Sequence, residues 1–488
     1  MRAASLFGAV AFSLALAGCG GGGGSVTPPV ARGGGSPVGP QPGDWSTFGD
    51  ALSRSGYNPS ETTLTSGNAG SLHLQWTRDL GSAIDAQPLY AANVTIRGSR
   101  HDVLYLGTEG GSFYAVDAAT GSVLWQKSFG STQSTCMDLP SGTFGITGTA
   151  TFDRTSNRVY VADGKDVLHA LDMSTGSEAA GWPVTIATQI SQEHVYSALT
   201  YNPANGYLYV QTAGYCDFVP YQGRLVAVST TSASVVATFL PGGANNGGGL
   251  WGMGGPSVDE ATNDVFVATG NTTDSATDHD AYAEQVVRLT PTTLSVEASN
   301  YPGLTSGTDD YDFGSTPMLY QFAGCPPQLV AQNKDGTLYA YDRDTIASGP
   351  VQGLQMAGPP YDGQMIGVAA LSPADGDVYV GDPAGEAPFT NGLIALHVQP
   401  DCTLALAWQM TEGSSGGSDN IAATVANGVV YSVDGLGAEI FANASQSGAS
   451  LWNSASNISG PLFTPPTVTA GHVYVGSWDH RLYAFGLQ

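Results

Sequence analysis

Val103-Leu-Tyr-Leu106, a turn, then Tyr114-Ala-Val-Asp117-Ala-Ala-Thr120-Gly121-Ser-Val-Leu-Trp125 is the clearest copy of a pattern that recurs eight times before Gln488. An apolar strand is followed by a turn, a second apolar strand ending near Ala-Val-Asp, a Thr-Gly turn and a Trp. The later copies are marked by Arg158-Val-Tyr-Val161, Tyr207-Leu-Tyr-Val210, Asp264-Val-Phe-Val267, Gln328-Leu-Val-Ala331, Asp377-Val-Tyr-Val380, Gly428-Val-Val-Tyr431 and Gly471-His-Val-Tyr474. A strand-rich unit spaced at roughly 43 to 64 residues cannot bury its own core, and such units are propeller blades rather than helical solenoid turns. The reading is an all-β, eight-bladed β-propeller of four-stranded antiparallel blades. The last copy ends at Leu482-Tyr-Ala-Phe485 with no room for an outer strand, while Leu72-His-Leu-Gln-Trp76 is an outer strand with no blade of its own. Joining the two predicts a ring closed by an N-terminal outer strand, with no sheet edge left open at the seam.

Composition agrees. The 488 residues are 42% hydrophobic and 11% charged, enough for a large core, and 66 glycines with 28 prolines suit many tight turns between short strands. No long helical periodicity follows residue 20. The first residues read as an export signal: Arg2 gives the positive end, and Leu6 to Leu16 is an apolar run too short to span a bilayer. Its close, Leu16-Ala17-Gly18-Cys19, resembles the bacterial lipobox, which implies cleavage before Cys19 and lipidation of its thiol. Gly20 in place of Asp after that Cys resembles sorting to the outer membrane. The expected organisation is a signal peptide over 1–18, a Gly/Pro/Ser tether over 19–42 and one propeller over 43–488.

The formal charge of −26 arises from 41 acids against 15 bases, a field that repels nucleic acid and anionic membrane surfaces and suits solubility. With Cys19 set aside, Cys136, Cys216, Cys325 and Cys402 remain, an even number for an oxidising compartment and two disulfides. There is no Cys-x-x-Cys-His haem site and no Cys/His set with zinc spacing, so a bound metal would have oxygen ligands and any electrons would leave to a separate protein.

Over nearly the whole mature chain the sequence resembles the quinoprotein alcohol dehydrogenase propellers. Ala115-x-Asp117-x-x-Thr120-Gly121-x-x-x-Trp125 matches that family's tryptophan-docking repeat. Ala170-Leu-Asp172-x-x-Thr175-Gly176 with Trp182 is a stretched copy, Trp408 and Trp452 belong to partial ones, and blades three to five lack the Trp. These tryptophans are expected to pack against neighbouring blades. The bacterial outer-membrane assembly propeller, also a lipoprotein, is similar in architecture without a cofactor, so the fold alone does not choose a function.

In such a blade the loop entering the inner strand and the loop between the second and third strands share one rim; the other two loops share the opposite rim. Cys136 and Cys216 fall on the first rim, Cys325 and Cys402 on the second. Only the pairings Cys136–Cys216 and Cys325–Cys402 keep each disulfide on one face. The first rim also receives Gly247-Gly-Gly-Leu-Trp251-Gly252, Ala268-Thr-Gly-Asn271, Asp309-Asp-Tyr-Asp-Phe-Gly314 and Asn333-Lys334-Asp-Gly336. In order and spacing these segments resemble the family's cofactor site. The resemblance implies that Trp251 is the floor under pyrroloquinoline quinone (PQQ), Asn271 a calcium ligand, Asp309 a calcium ligand and general base, and Lys334 the cation beside the quinone oxygens. The family's glutamate ligand from blade three has no clear counterpart; Asp217 is the nearest acid, shorter by one methylene. The family's pair of adjacent cysteines is absent. Taken singly, these residues also suit packing, turns and solvated charge. Glu193-His194 lies on the same rim, and Asp274, Asp278, His279 and Asp280 form an acidic loop.

Two functions are therefore expected to compete. One is a PQQ- and calcium-dependent alcohol dehydrogenase with an external electron acceptor. The other is a non-catalytic scaffold, similar to the assembly factor, that binds a protein or glycan in the envelope. In both, the membrane is reached through the lipid anchor and nucleic acid is not a partner.

Overall fold

Eight separate sheets, each built on four antiparallel strands, account for the repeats, and that of blade 7 takes Tyr57–Asn58 as a fifth, parallel strand. The computed structural model describes residues 39–136, 139–140, 142–187, 192–214, 216, 218–273, 281–303, 311–357, 365–412 and 422–488. Blade 1 consists of Leu89–Ile96, Ser99–Gly107, Ser112–Asp117 and Val123–Ser128, from inner to outer strand. The inner strands of blades 2 to 8 are Thr151–Asp153, Thr200–Asn202, Ser257–Val258, Met318–Tyr320, Ala370–Ser372, Ala423–Ala426 and Thr467–Thr469. Second strands such as Val265–Ala268 are buried at every position. Outer strands such as Ser234–Phe239 are largely exposed. A central strand is covered on both faces by adjoining blades, so its sequence is continuously apolar rather than alternating.

The ring closes as expected. His73–Asp79 pairs with Arg481–Gly486 and supplies the outer strand of blade 8, with Trp76 opposite Ala484. The repeat motif shows how one blade grips the next. The Trp125 indole N–H donates to Met173 O at 3.0 Å, and its ring lies over Gly176, where a Cβ would approach within 2.8 Å. Gly176 has φ +68°, so both the turn and the indole require glycine. Trp76 repeats this across the seam, donating to Ala118 O and lying over Gly121. Trp408 docks in the same way on Ser445 O and Gly448. Trp182 instead packs on Tyr160 of its own blade. Both disulfides form as paired from the rims, Cys136–Cys216 and Cys325–Cys402, with Cα separations of 5.7 and 5.6 Å.

One element was not foreseen. Residues 43–58 run once around the axis and bond in turn to the innermost part of every blade. Thr469 of blade 8 donates to Gly43 O, and Trp45 exchanges both backbone hydrogen bonds with Tyr90 of blade 1. Phe152 N of blade 2 donates to Ser46 O, and Arg54 reaches Leu199 O beside blade 3. Val258, Leu319, Leu371 and Val425 of blades 4 to 7 donate to Leu52, Ser53, Ser55 and Gly56. Asn58 returns to blade 8 through Val468 O at 2.8 Å. This hoop fills the axis with Trp45, Phe48 and Arg54, none more than 1% exposed.

Arg54 is the anchor of the hoop. Its guanidinium donates to Thr47 Oγ1, Phe48 O, Leu199 O and Thr200 Oγ1, and burial lowers its pKa to about 9. Removing it strands four buried acceptors and leaves a void. Arg54→Ala is expected to cost about 3 kcal/mol or more. Urea unfolding checks this, and an unchanged midpoint would mean that the hoop adds nothing to stability.

Candidate functional site

The glycines of Gly247-Gly-Gly let two rim segments of blades 3 and 4 zip together. Gly248 N donates to Asn271 O at 2.8 Å and Gly270 N to Gly249 O at 2.7 Å. Trp251, just beyond, is half-buried. Its indole edge lies against Gly314, where a Cβ would sit 2.2 Å from a ring carbon, so any side chain there would displace the ring.

The expected site residues Trp251, Asn271 and Lys334 meet at one carboxylate, that of Asp312. Trp251 Nε1 donates to Asp312 Oδ2 at 2.8 Å, and the Asn271 backbone N–H donates to Oδ1 at 2.5 Å. Lys334 Nζ lies 3.6 Å from Oδ2 and 4.8 Å from the centre of the Trp251 ring, a cation–π arrangement. Lys334 N also donates to Asp312 O at 3.0 Å, and the buried Asn333 side chain holds Tyr311 O. The acid of Asp309-Asp-Tyr-Asp312 that organises the site is thus Asp312, a role not assigned to it from sequence. Asp217 and Asp309 lie outside the described residues, as does the acidic loop 274–280.

A test of fit for a hard cation rests on Asn271. Its Oδ1 is buried and has no hydrogen-bond partner. A buried amide oxygen left without a donor is unfavourable unless something electropositive meets it, and a calcium ion does so. Both Asp312 oxygens are already engaged. Among the described residues no group of three or more His, Cys, Asp or Glu side chains surrounds a metal-sized point. The aromatic face of Trp251, the flanking ammonium and the orphan oxygen fit a planar anionic ring with a bound cation.

Glu193 and His194 do not join this cluster. Glu193 is fully buried and paired with Arg224 through both carboxylate oxygens. His194 stacks on Phe144 at 4.0 Å, and burial lowers its pKa to about 4, so its imidazole is neutral. The rest of the rim is rich in buried acids. Burial, reinforced by the Glu193 charge, raises Asp166 to about 8, and burial raises Asp382 to about 6 and Glu412 to about 7. Asp85 and Glu109 are also raised, and they were missed from sequence because they stand far apart in it and match no motif.

Comparisons with known proteins identify the family and the shared fold. The PQQ-repeat family model described as outer membrane protein assembly factor BamB matches residues 54–239 and 397–487. A polyvinylalcohol dehydrogenase of a Pseudomonas species is 23% identical over 373 residues, covering 68% of this chain and 52% of the relative, so the chain spans about half the length of that curated relative. A europium-containing methanol dehydrogenase superposes with TM-score 0.71 at 15% identity, covering 92% of this chain and 98% of the other. The quinohemoprotein alcohol dehydrogenase of Comamonas testosteroni gives 0.67 at 16%, covering 91% and 80%. BamB from Moraxella catarrhalis gives 0.54 at 15%, covering 86% and 98%. At these identities the solved structures establish the shared fold.

Asp312→Ala removes the tether of the indole and a carboxylate 3.6 Å from the Lys334 ammonium, which is 8% exposed. Breaking a buried pair from one side costs about 3 kcal/mol. The expected result is a lower denaturation midpoint and altered tryptophan fluorescence in the folded state; wild-type values for both would show that Asp312 does not organise the site.

Proposed function

The chain belongs to this PQQ-repeat β-propeller family, and on that premise we propose that it is an envelope quinoprotein oxidoreductase that dehydrogenates an alcohol with PQQ and calcium. The observation that carries the reading is the conjunction at Asp312 of an indole, an ammonium and a neighbouring buried oxygen with no donor. In this reading Trp251 offers a flat face whose orientation is fixed at its N–H by Asp312 and at its edge by Gly314. Lys334, steered by the same carboxylate, brings positive charge to the ligand's anionic oxygens. Asn271 Oδ1 is a calcium ligand, with Asp217 and Asp309 completing the oxygen set. Asp309 also takes the proton of the alcohol hydroxyl at its carboxylate. A bound quinone would supply the two-electron oxidation of the alcohol to a carbonyl compound, and an external acceptor would be needed to restore it. The curated relative's name makes a secondary-alcohol polymer, polyvinyl alcohol, the first substrate to try.

Apoprotein given micromolar PQQ and calcium is expected to quench tryptophan fluorescence and to reduce an artificial dye when alcohol is added. Asn271→Ala is expected to lower the calcium dependence of quinone binding by about tenfold or more. Absence of quinone binding with calcium present would favour the competing scaffold, which the BamB description of the family supports.

The leader motif supports a location at the cell envelope for this activity. Cys19 is lipidated and holds the propeller at the outer membrane. Membrane fractionation of Cys19→Ser is expected to move the protein to the soluble fraction; retention with the membrane would rule out the lipid anchor.

A further inference from the structure

Across the ring from Trp251, on the same rim, a second indole meets a second carboxyl. Asp85, in the loop entering blade 1, accepts the Trp478 indole N–H from blade 8, and Trp478 stacks on Phe463 with ring centres 4.4 Å apart and planes 6° from parallel. Glu109, in the rim turn between the second and third strands of blade 1, is fully buried and within hydrogen-bonding reach of Asp85. Its Oε2 accepts Gly145 N at 3.0 Å. Its Oε1 and the Thr464 hydroxyl are buried without a well-aligned hydrogen-bond partner, and the Thr147 hydroxyl lies within reach of the Glu109 carboxyl. Asp85, Thr147 and Thr464 line a cavity of about 10 Å³, room for a single water.

Among the described residues no basic side chain offsets this pair. The groups acting on Asp85 are Glu109 and Trp478; those on Glu109 are Asp85, Thr147 and the Gly145 amide. Asp479, next to Trp478, is turned to Ser459 and Tyr483. Lys165, from the rim turn of blade 2, is exposed and donates to Phe129 O. The Glu109 backbone N–H donates to Ala83 O at 2.9 Å, which brings its carboxyl beside Asp85, and two buried negative charges side by side repel strongly. The two carboxyls do not both ionise at neutral pH. A proton between them also gives Glu109 Oε1 the hydrogen bond it otherwise lacks.

We propose that Asp85 and Glu109 hold one shared proton at neutral pH, bridged to Thr147 and Thr464 by a water, and that an anionic ligand enters the rim only while that proton is present. The second half rests on the quinone reading above, since PQQ carries carboxylates. Burial raises both carboxyls, in line with this, and Glu109 is raised further by the Asp85 charge. The sign follows by linkage. The proton is bound below the pair's raised pKa and lost as pH rises through it, so affinity for the anion falls at high pH, by about tenfold per pH unit for one proton.

Two measurements separate the parts. Infrared difference spectra at pH 7 between wild type and Glu109→Gln are expected to show a protonated-carboxyl band in wild type that the variant lacks. Asp85→Asn removes the same charge if Glu109→Gln does not fold. No such band means that both carboxyls are ionised, and the proposal fails. In the second measurement, PQQ is titrated by tryptophan quenching from pH 6 to pH 9. The expected result is a dissociation constant that rises with pH in wild type and stays flat in Glu109→Gln. Equal slopes overturn the proton linkage. PQQ that binds at no pH removes the cofactor reading, while the infrared band still decides whether the proton is shared.

Discussion

Eight inner strands pointing at a common axis leave eight rows of peptide groups with no strand to pair with. The hoop of residues 43–58 answers that constraint by giving each blade a hydrogen bond in chain order, from Thr469 and Tyr90 round to Val425 and Val468. A buried peptide group without a partner costs free energy comparable to a lost hydrogen bond, so one short segment meets a need that all the blades share. Its small and polar sequence, Ser46-Thr-Phe-Gly-Asp50 and Arg54-Ser-Gly56, suits a chain that must turn continuously inside a narrow ring. The guanidinium of Arg54 replaces the water that would otherwise solvate Leu199 O and Thr200.

With the axis filled at that level, the rim above it can be chemically varied. The strands below are fixed by apolar packing and by the docked tryptophans Trp76, Trp125 and Trp408, while the loops are free to differ from blade to blade. Two positions on that rim use the same device, an indole on one blade donating to an acid that precedes the inner strand of the next. Trp251 with Asp312 and Trp478 with Asp85 are the two cases. They differ in charge. Lys334 accompanies the first, whereas the second carboxyl faces Glu109. One side of the rim is thus suited to an anion's negative oxygens and the other to a shared proton.

The candidate site was partly legible. Trp251, Asn271 and Lys334 stand in glycine-rich or turn segments whose order matches a known pattern, and the fold brings them to one carboxylate. Which carboxylate was not legible. Nothing in the letters marks Asp312 within its acidic run, and the direction of the backbone at Tyr311-Asp312-Phe313 brings its carboxylate to the indole. Glu193 and His194 show the converse, since residue types suited to chemistry are here absorbed by Arg224 and by stacking on Phe144.

The repeat itself determined the fold, the number of blades, the seam and both disulfide pairings, because strand order in a propeller is sequence order and each loop's rim follows from its place in the blade. The hoop, the role of Asp312 and the Asp85–Glu109 pair were decided only in three dimensions. Each depends on groups remote in sequence meeting near the axis, where separation is set by the closure of the ring. No local pattern records such a distance, and electrostatics between buried groups is governed by distance and burial more than by residue type.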